Sequence, residues 1–217
     1  MTLATDLQTQ QANFRSRVPQ DTQTVMQQAI TDLGASGILE QTLKVGDTIL
    51  EVALPNATGQ TVNIGELLAH GPVVIAFYRG GWCPYCNLEL KALQNALASI
   101  QETGATLVAI SPETPDNSLT TQEKNELAFP VLSDVDNQVA RQFGLVFQLP
   151  TSLRPIYEGF GIDLVAYNGN DQFELPIPAT YVVQPNGEIV YAFADVDYTK
   201  RAEPSEVVNA LKGLRSA

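Results

Sequence analysis

Two cysteines, Cys83 and Cys86, are the residues of this 217-residue chain best suited to do chemistry, and the sequence contains no others. An apolar, β-branched run, Val73 to Tyr78, precedes them and predicts a buried strand, and apolar residues at helical spacing follow them. The pair therefore lies where a strand turns into a helix, whose positive end favours a thiolate over a thiol. Such positions lower the pKa of a cysteine from about 8.5 to roughly 3.5–7.5. Arg79, just after the strand, adds a permanent cation.

The spacing of the two cysteines places both sulfur atoms on one helical turn, where they can close into a disulfide. Half of a zinc site and a pair of inert buried thiols are the alternatives. The sequence holds no second cysteine pair, and its single histidine, His70, precedes the strand and so lies at the end opposite the cysteines. The flanking Gly-Gly-Trp and Pro-Tyr favour an irregular turn over a core helix. We therefore predict a reversible redox pair and no bound metal.

The composition narrows the class of protein. The chain carries 24 acidic and 12 basic side chains, a net charge of −12, which argues against nucleic acid or an anionic membrane as a partner. No run reaches the ~18 apolar residues that a membrane span requires. The first residues lack a basic region followed by an apolar stretch, so no secretory signal is predicted and the expected compartment is the cytoplasm. There a lone cysteine pair is typical of reversible redox chemistry.

The elements that must position the pair form one α/β domain, residues 45–217, preceded by an N-terminal helical extension, residues 1–44. An apolar stripe at helical spacing in the extension (Val25, Met26, Ala29, Ile30 and Leu33) predicts a helix that packs on the domain or acts as a dimerisation arm. The irregular stretch from about 145 to 176 is interpreted as an insertion that could cover the active site.

Strands and helices alternate through the domain before a terminal hairpin and a last helix, which predicts a three-layer α/β/α fold with a central mixed sheet. The cysteines lie at the carboxyl end of a central strand, where ligands collect in open α/β sheets. The predicted strands of the sheet are residues 73–78, 106–111, 129–132, 177–183 and 188–193.

Several blocks, taken in order, carry a resemblance to a known family. They are Lys44-Val-Gly-Asp47, the run Leu107-Val-Ala-Ile-Ser-Pro-Glu-Thr-Pro115, the run Phe129-Pro-Val-Leu-Ser-Asp134, and Val139-Ala-Arg-Gln-Phe-Gly144. Over roughly residues 45–215 the chain resembles the peroxiredoxins of the alkyl hydroperoxide reductase and thiol-specific antioxidant group, within the thioredoxin-fold superfamily. The resemblance implies a thioredoxin fold and a thiol peroxidase without a bound cofactor.

The family motif Pro-x-x-x-Thr-x-x-Cys-x-x-Glu is altered in this chain. Cys86 falls on the peroxidatic cysteine and Glu89 on the glutamate, while Cys83 replaces the threonine and Arg79 replaces the proline. The family's later arginine falls at Pro178, which instead matches the cis-proline that faces the cysteines of thioredoxins. The run Trp82-Cys83-Pro84-Tyr85-Cys86 is likewise similar to the thioredoxin site. The chain therefore resembles a peroxiredoxin frame that carries a thioredoxin-like centre.

The leading hypothesis is a peroxidase that reduces hydrogen peroxide or organic hydroperoxides. One cysteine becomes a sulfenic acid, the other condenses with it to a disulfide, and a thioredoxin-like or glutaredoxin-like dithiol reduces the product. The family motif favours Cys86 as the attacking sulfur, whereas thioredoxin geometry favours Cys83 as the more exposed one. We prefer Cys86 for attack and Cys83 for resolution, with Arg79 stabilising the thiolate. The residues expected to shape the pocket are Trp82, Pro84, Tyr85, Glu89 and Pro178.

Two other functions use the same cysteines. A thiol–disulfide oxidoreductase acting on protein disulfides needs only the cysteine pair and the facing proline. A non-enzymatic redox sensor would change its oligomeric state on oxidation without turnover. The exposed face of the N-terminal helix is compatible with a homodimer.

Overall fold

The computed structural model describes residues 2–214, which form strands and helices in near alternation. The strands are β1 Ala53–Pro55, β2 Thr61–Asn63, β3 Val73–Phe77, β4 Thr106–Ser111, β5 Val131–Ser133, β6 Val146–Gln148, β7 Glu174–Pro176, β8 Ala179–Val183 and β9 Ile189–Ala194. The α-helices are α1 Leu3–Arg17, α2 Gln20–Ala35, α3 Ile38–Gln41, α4 Ile64–Leu68, α5 Pro84–Gln101, α6 Pro115–Lys124, α7 Gln138–Gln142, α8 Arg154–Gly159, α9 Leu164–Asn168 and α10 Pro204–Leu214. A short 3-10 turn, Val135–Asn137, precedes α7.

A five-stranded mixed sheet in the order β5-β4-β3-β8-β9 forms the centre of the molecule. Strand β3 pairs in parallel with β4 and antiparallel with β8, and every one of its residues is buried. A strand that is buried on both faces has apolar residues at every position, which is why the sequence of β3 shows no alternation of apolar and polar residues. Short β-ladders lie outside this sheet, between β1 and β2 and between β6 and β7.

Apolar side chains cover both faces of the sheet, and this produces the three layers that the sequence predicts. On one face, Val74 and Ala76 pack with Leu90 and Leu93 of α5 and with Leu211 of α10. On the other face, the alternate residues of β3 meet α4 and the end of α7 through Ile64 and Phe143. The three-layer α/β/α architecture is therefore confirmed.

The N-terminal residues form two helices, of which the sequence predicts only the second. Helix α1 buries just Leu3 and Leu7, too few apolar positions for a periodic signal, so its sequence resembles a polar linker. These two side chains join the core beneath α5, and the backbone amide of Ala4 donates to Glu203 Oε1 over 2.6 Å. Helix α1 is therefore held against the α5–α10 face.

The stretch 145–176 contains two strands and two helices with a small core of its own. Its apolar side chains Leu149, Leu153 and Leu164 surround Met26 of α2. Phe160, at the end of α8, meets Phe14 of α1 edge to face at 6.1 Å between ring centroids. The two N-terminal helices and this stretch therefore pack on one another at the side of the molecule that holds the cysteines. No helix within residues 2–214 is long and apolar enough to cross a membrane.

Candidate active site

A tight turn connects β3 to the helix that carries the cysteines. The Cys83 amide donates to the Gly80 carbonyl over 3.1 Å, and Cys83 is the N-cap residue of α5. Pro84 occupies the start of the helix, where its missing N–H costs nothing. Gly80 has φ +150°, and a Cβ atom there would come within 2.2 Å of Trp82 Nε1. The chain therefore needs glycine at this point to bring Trp82 back over the turn.

Both cysteines are free thiols and both are buried, with 1% of Cys83 and 0% of Cys86 exposed. The prediction that Cys83 is the more exposed sulfur does not help to identify the attacking cysteine, because the two exposed fractions are almost equal. Both cysteines belong to the same hydrophobic cluster as Tyr85 and as Leu3 and Leu7 of α1, so the N-terminal extension contributes to the core that surrounds them. Access to the sulfur atoms therefore depends on the elements packed around them.

The two cysteines differ in the pKa of their thiol groups. Burial raises the pKa of Cys83, but a hydrogen bond from Cys86 and the charges of Arg79 and Arg201 outweigh it, and the pKa falls to about 6. Burial, together with the hydrogen bond to Cys83 and its charge, raises the pKa of Cys86 well above its usual value. Near neutral pH the pair therefore holds one thiolate, centred on Cys83, and one thiol that donates to it.

Arg201, which the sequence analysis missed, contacts Cys86 directly. Its Nη2 lies 3.2 Å from Cys86 Sγ, its Nε forms an ion pair with Glu89, and its Nη1 donates to the Tyr198 and Lys200 carbonyls over 2.6 and 2.7 Å. These contacts fix the guanidinium beside the sulfur. The sequence contains one signal for such an arginine. Glu89 is predicted on the helix that follows the cysteines, and a buried glutamate needs a cation beside it. The chain has 12 basic side chains, so the sequence does not show which one pairs with Glu89.

Glu89 lies behind the cysteines and not in an open pocket. Burial raises its pKa to about 7, although the charge of Arg201 opposes this. Thr180 Oγ1 donates to Glu89 Oε1 over 3.3 Å. Glu89 therefore positions Arg201 from the protein interior and does not line the wall that the sequence analysis expects.

Arg79 is 3% exposed and approaches the pair from the other side. Its Nη2 donates to the Tyr157 hydroxyl, and its guanidinium carbon lies 4.9 Å from the ring centroid of Trp82 and 4.6 Å from that of Tyr198. Its charge lowers the pKa of both cysteines, Cys83 more strongly. Arg79 Nε has no hydrogen-bond partner among the described residues. One buried donor of this guanidinium is therefore unpaired within the described residues.

A buried carboxyl group, Glu113, holds the turn in front of the cysteines and was also missed. The Gly81 amide donates to Glu113 Oε1 over 2.9 Å, and the Tyr78 and Thr121 hydroxyls donate to Oε2 over 3.4 and 3.3 Å. Burial raises the pKa of Glu113 to about 7 even though the Gly81 amide lowers it. Glu113 follows β4, so the neighbouring strand supplies this support.

The remaining expected pocket residues surround the pair at different depths. Trp82 packs on Tyr157 at 5.6 Å, buried Tyr85 meets Tyr198 edge to face at 5.6 Å, and Pro84 is exposed. Together they form an aromatic shell around the cysteine turn.

Pro178 is buried on the wall of a cavity that Arg79 also lines, but the expected cis-proline is wrong. No peptide bond of the described residues is cis. Pro178 lies in the two-residue link between β7 and β8, and neither residue of this link belongs to a turn, where cis-prolines typically occur.

Comparison with known proteins settles the family. The AhpC/TSA family model matches residues 45–192. The chain belongs to the AhpC/TSA family. A Mycobacterium tuberculosis (strain H37Rv) protein named as a peroxiredoxin is 32% identical over 114 residues, which cover 52% of this chain and 74% of that protein. Peroxiredoxin Bcp of Escherichia coli K12 is 31% identical over 103 residues, 48% of this chain and 65% of the relative. The resemblance read from the sequence is confirmed.

Solved structures of proteins named as peroxidoxin or bacterioferritin comigratory protein show the same fold. The crystal structure of peroxidoxin BcpB from Mycobacterium tuberculosis matches with a TM-score of 0.63 at 23% identity, covering 80% of this chain and 99% of that one. The Xanthomonas campestris bacterioferritin comigratory protein, described for its alkyl peroxide reduction activity, matches with a TM-score of 0.59 at 21% identity, covering 77% and 99%. The predicted thioredoxin fold is confirmed. The family model begins at residue 45, so α1 and α2 lie outside it.

Proposed function

We propose that this protein is a thiol peroxidase that reduces hydrogen peroxide or organic hydroperoxides through its Cys83–Cys86 pair. The observation that carries the proposal is the arrangement of charge around the two sulfur atoms. A thiolate on Cys83 lies within the field of Arg79, and a thiol on Cys86 lies 3.2 Å from the Arg201 guanidinium. Membership of the AhpC/TSA family and peroxiredoxin relatives support the same reaction.

The first step is attack on the peroxide. The Cys83 thiolate donates an electron pair to the terminal oxygen of the hydroperoxide, so that an S–O bond forms while the O–O bond breaks. The departing oxygen carries negative charge until it takes a proton from water and leaves as an alcohol or water. Arg79 offers its unpartnered Nε donor to that developing charge. Cys83 thereby becomes a sulfenic acid.

The second step forms the disulfide. Once Cys83 is oxidised to the sulfenic acid, the negative charge that raised the pKa of Cys86 is gone, and the charges of Arg201 and Arg79 favour its ionisation. The Cys86 thiolate attacks the sulfenic sulfur, an S–S bond forms, and the hydroxyl leaves with a proton as water. The order of events thus follows from charge: the first oxidation activates the second cysteine.

These roles differ from the preference that the sequence supports. Alignment with the family motif favours Cys86 as the attacking sulfur, and that preference stays a prediction. Position and charge favour Cys83, because it is the N-cap residue of α5 and lies in the field of Arg79, the arginine with a free donor. The family glutamate and the arginine it holds would then serve resolution.

A dithiol donor of the thioredoxin or glutaredoxin type would recycle the enzyme. It supplies the two electrons and two protons that return the disulfide to two thiols. Because both sulfur atoms are buried in the reduced protein, the donor can attack only after the covering elements move. No bound cofactor takes part in any of these steps.

The test measures peroxide consumption by reduced protein with a dithiol present, alongside trapping of the sulfenic acid. Wild type is expected to consume hydrogen peroxide or cumene hydroperoxide far faster than free cysteine does. Cys83→Ser is expected to lose this reaction, and Cys86→Ser is expected to accumulate the sulfenic acid in one turnover. A wild-type rate no greater than that of free cysteine would refute the proposal.

A thiol–disulfide oxidoreductase is the second candidate, favoured by a low-pKa cysteine at the N-cap of α5. Burial of both cysteines limits access of a protein disulfide and of a dithiol donor alike, so it is membership of the AhpC/TSA family that favours the peroxidase over this candidate. Reduction of insulin in the absence of peroxide separates the two candidates. A sensor without enzymatic activity would turn over neither substrate.

A further inference from the structure

Both backbone polar groups of Gly81, in the turn that connects β3 to α5, are held by side chains from other elements. The Gly81 amide donates to Glu113 Oε1 over 2.9 Å, and the Gly81 carbonyl accepts from Asn87 Nδ2 over 2.8 Å. Asn87 Nδ2 also donates to the Cys83 carbonyl over 3.1 Å. These contacts fix the backbone from which the Cys83 side chain projects.

Helix α6 joins the two holding side chains into one network. Thr121 Oγ1 donates to Glu113 Oε2 over 3.3 Å, and Asn125 Nδ2 donates to Asn87 Oδ1 over 2.8 Å. Thr121 and Asn125 are one helical turn apart, and the Asn125 side chain also donates to the Thr121 carbonyl over 3.0 Å. A Cβ atom at Gly81 would come within 2.0 Å of Thr121 Oγ1. The turn therefore packs directly against α6.

Glu113 makes these contacts at a cost to the fold. It is fully buried, and within residues 2–214 it forms no ion pair. The titratable groups that face it are Tyr78, whose hydroxyl donates to it, and Cys86, whose charge raises its pKa. Because a carboxylate and a Cys86 thiolate disfavour each other, the charge of Glu113 does not help the cysteines to ionise. Its contribution is the acceptor that it presents to the turn.

We propose that Glu113 is a positioning residue for the attack on peroxide, which holds the turn through the Gly81 amide so that the Cys83 sulfur stays close to Arg79. The inference rests on the proposed function and deepens it. Arg79 precedes the turn and Cys83 ends it, so the conformation of the turn sets the distance between the guanidinium and the sulfur. A turn released from Glu113 lets the two separate, and the thiolate loses part of the charge that favours it.

Three substitutions of Glu113 separate the position of the acceptor from its charge. Glu113→Gln keeps an acceptor of the same length without the charge, Glu113→Asp keeps the charge on a side chain one methylene shorter, and Glu113→Ala removes both. The readouts are the midpoint of the first thiolate, from absorbance against pH, and the second-order rate with hydrogen peroxide at pH 6. Glu113→Asp and Glu113→Ala are expected to raise the midpoint by about one pH unit and to lower the rate by about fivefold or more. Glu113→Gln is expected to stay within about twofold of the wild-type rate.

Asp134, just after β5, offers a matched control. It is also a buried carboxyl group, and it accepts from the amides of Val139 and Ala140 over 3.1 and 2.8 Å. Asp134→Ala should change neither the midpoint nor the rate, even where it lowers stability. An effect of Asp134→Ala as large as that of Glu113→Ala would overturn the positioning role.

Glu113→Asp decides the result if the alanine variant does not fold. A wild-type midpoint and rate in Glu113→Asp would overturn the positioning role, whatever the loss of stability. A change in Glu113→Gln as large as that in Glu113→Asp would also overturn it, because charge and not position would then be responsible. These outcomes leave the peroxidase intact. A wild-type rate no greater than that of free cysteine would instead overturn the proposed function and, with it, this inference.

Discussion

Replacing Cys86 by alanine is expected to raise the pKa of Cys83 without removing its reaction with peroxide. The Cys86 thiol donates a hydrogen bond to the Cys83 thiolate, and the charges of Arg79 and Arg201 act on the same sulfur. Alanine removes the donor and leaves both arginines in place. The variant therefore separates the contribution of the hydrogen bond from that of the charges.

The size of the effect follows from the strength of a hydrogen bond to a charged group, roughly 1.5–3 kcal/mol, with each pKa unit being about 1.4 kcal/mol. The pKa of Cys83 should rise from about 6 in the wild type to about 7–8 in the variant. At pH 7 the thiolate fraction falls from about 90% to about 10–50%, so the rate of attack falls by about two- to tenfold. Above pH 9 the rates converge, because both proteins are then fully ionised.

The assay is a single-turnover reaction with hydrogen peroxide across pH, followed by sulfenic acid formation, because this step needs no resolving cysteine. Cys86→Ser keeps an O–H donor and is the matched control, with an intermediate pKa expected. If Cys86→Ala abolishes attack at every pH while Cys83→Ser retains it, Cys86 is the attacking sulfur and the charge argument is wrong. An unchanged midpoint near pH 6 would refute the role of the hydrogen bond alone.

Two further predictions concern the buried charges. Arg201→Met should lower the free energy of unfolding by about 3–5 kcal/mol at pH 8, because Glu89 stays buried without its partner. The double variant Arg201→Met with Glu89→Gln should recover most of this loss in urea unfolding. A loss of similar size in the single and the double variant would contradict the prediction. Glu113 has a folded pKa near 7, above its unfolded value, so its contribution to stability is present below about pH 4 and is lost as the pH rises through 7. Glu113→Gln should therefore reduce the change in unfolding free energy between pH 4 and 8 by on the order of 2–3 kcal/mol, and an unchanged slope would show that the pKa of Glu113 is the same in the folded and unfolded chain.

The periodicity of apolar residues predicts the helices and strands that bury a continuous apolar run or one apolar face in the core. Strand β4 lies at the predicted residues 106–111, and α5 follows the cysteines as expected, because their apolar patterns are determined by burial. Helix α1 was missed because two buried leucines in fifteen residues give no period. Its position depends on contacts with α5 and α10, which are distant in sequence and leave no local signal.

The cysteine pair could be found from the sequence, but the groups that tune it could not. Arg79 is close to the cysteines in the chain, so its spacing alone made it a candidate. Arg201 and Glu113 reach the turn from other elements, and only the folded sheet brings them there. The family motif was misleading at Pro178. The family has an arginine at the position that aligns with Pro178, whereas in this chain the arginine that contacts Cys86 is Arg201, in a later loop.

The burial of Arg79 is an argument for ionised Cys83 that does not depend on any titration. A buried cation is tolerated only when charge or strong hydrogen bonds compensate it. Arg201 has the Glu89 carboxylate, but within residues 2–214 Arg79 forms no ion pair with a carboxylate and rests on a tyrosine hydroxyl and aromatic rings. In the proposed mechanism, a thiolate on Cys83 supplies the missing negative charge. The proposed mechanism thus gives each arginine its own sulfur. Arg79 balances the charge that Cys83 carries before the reaction, and Arg201, 3.2 Å from Cys86, stabilises the charge that Cys86 gains during it.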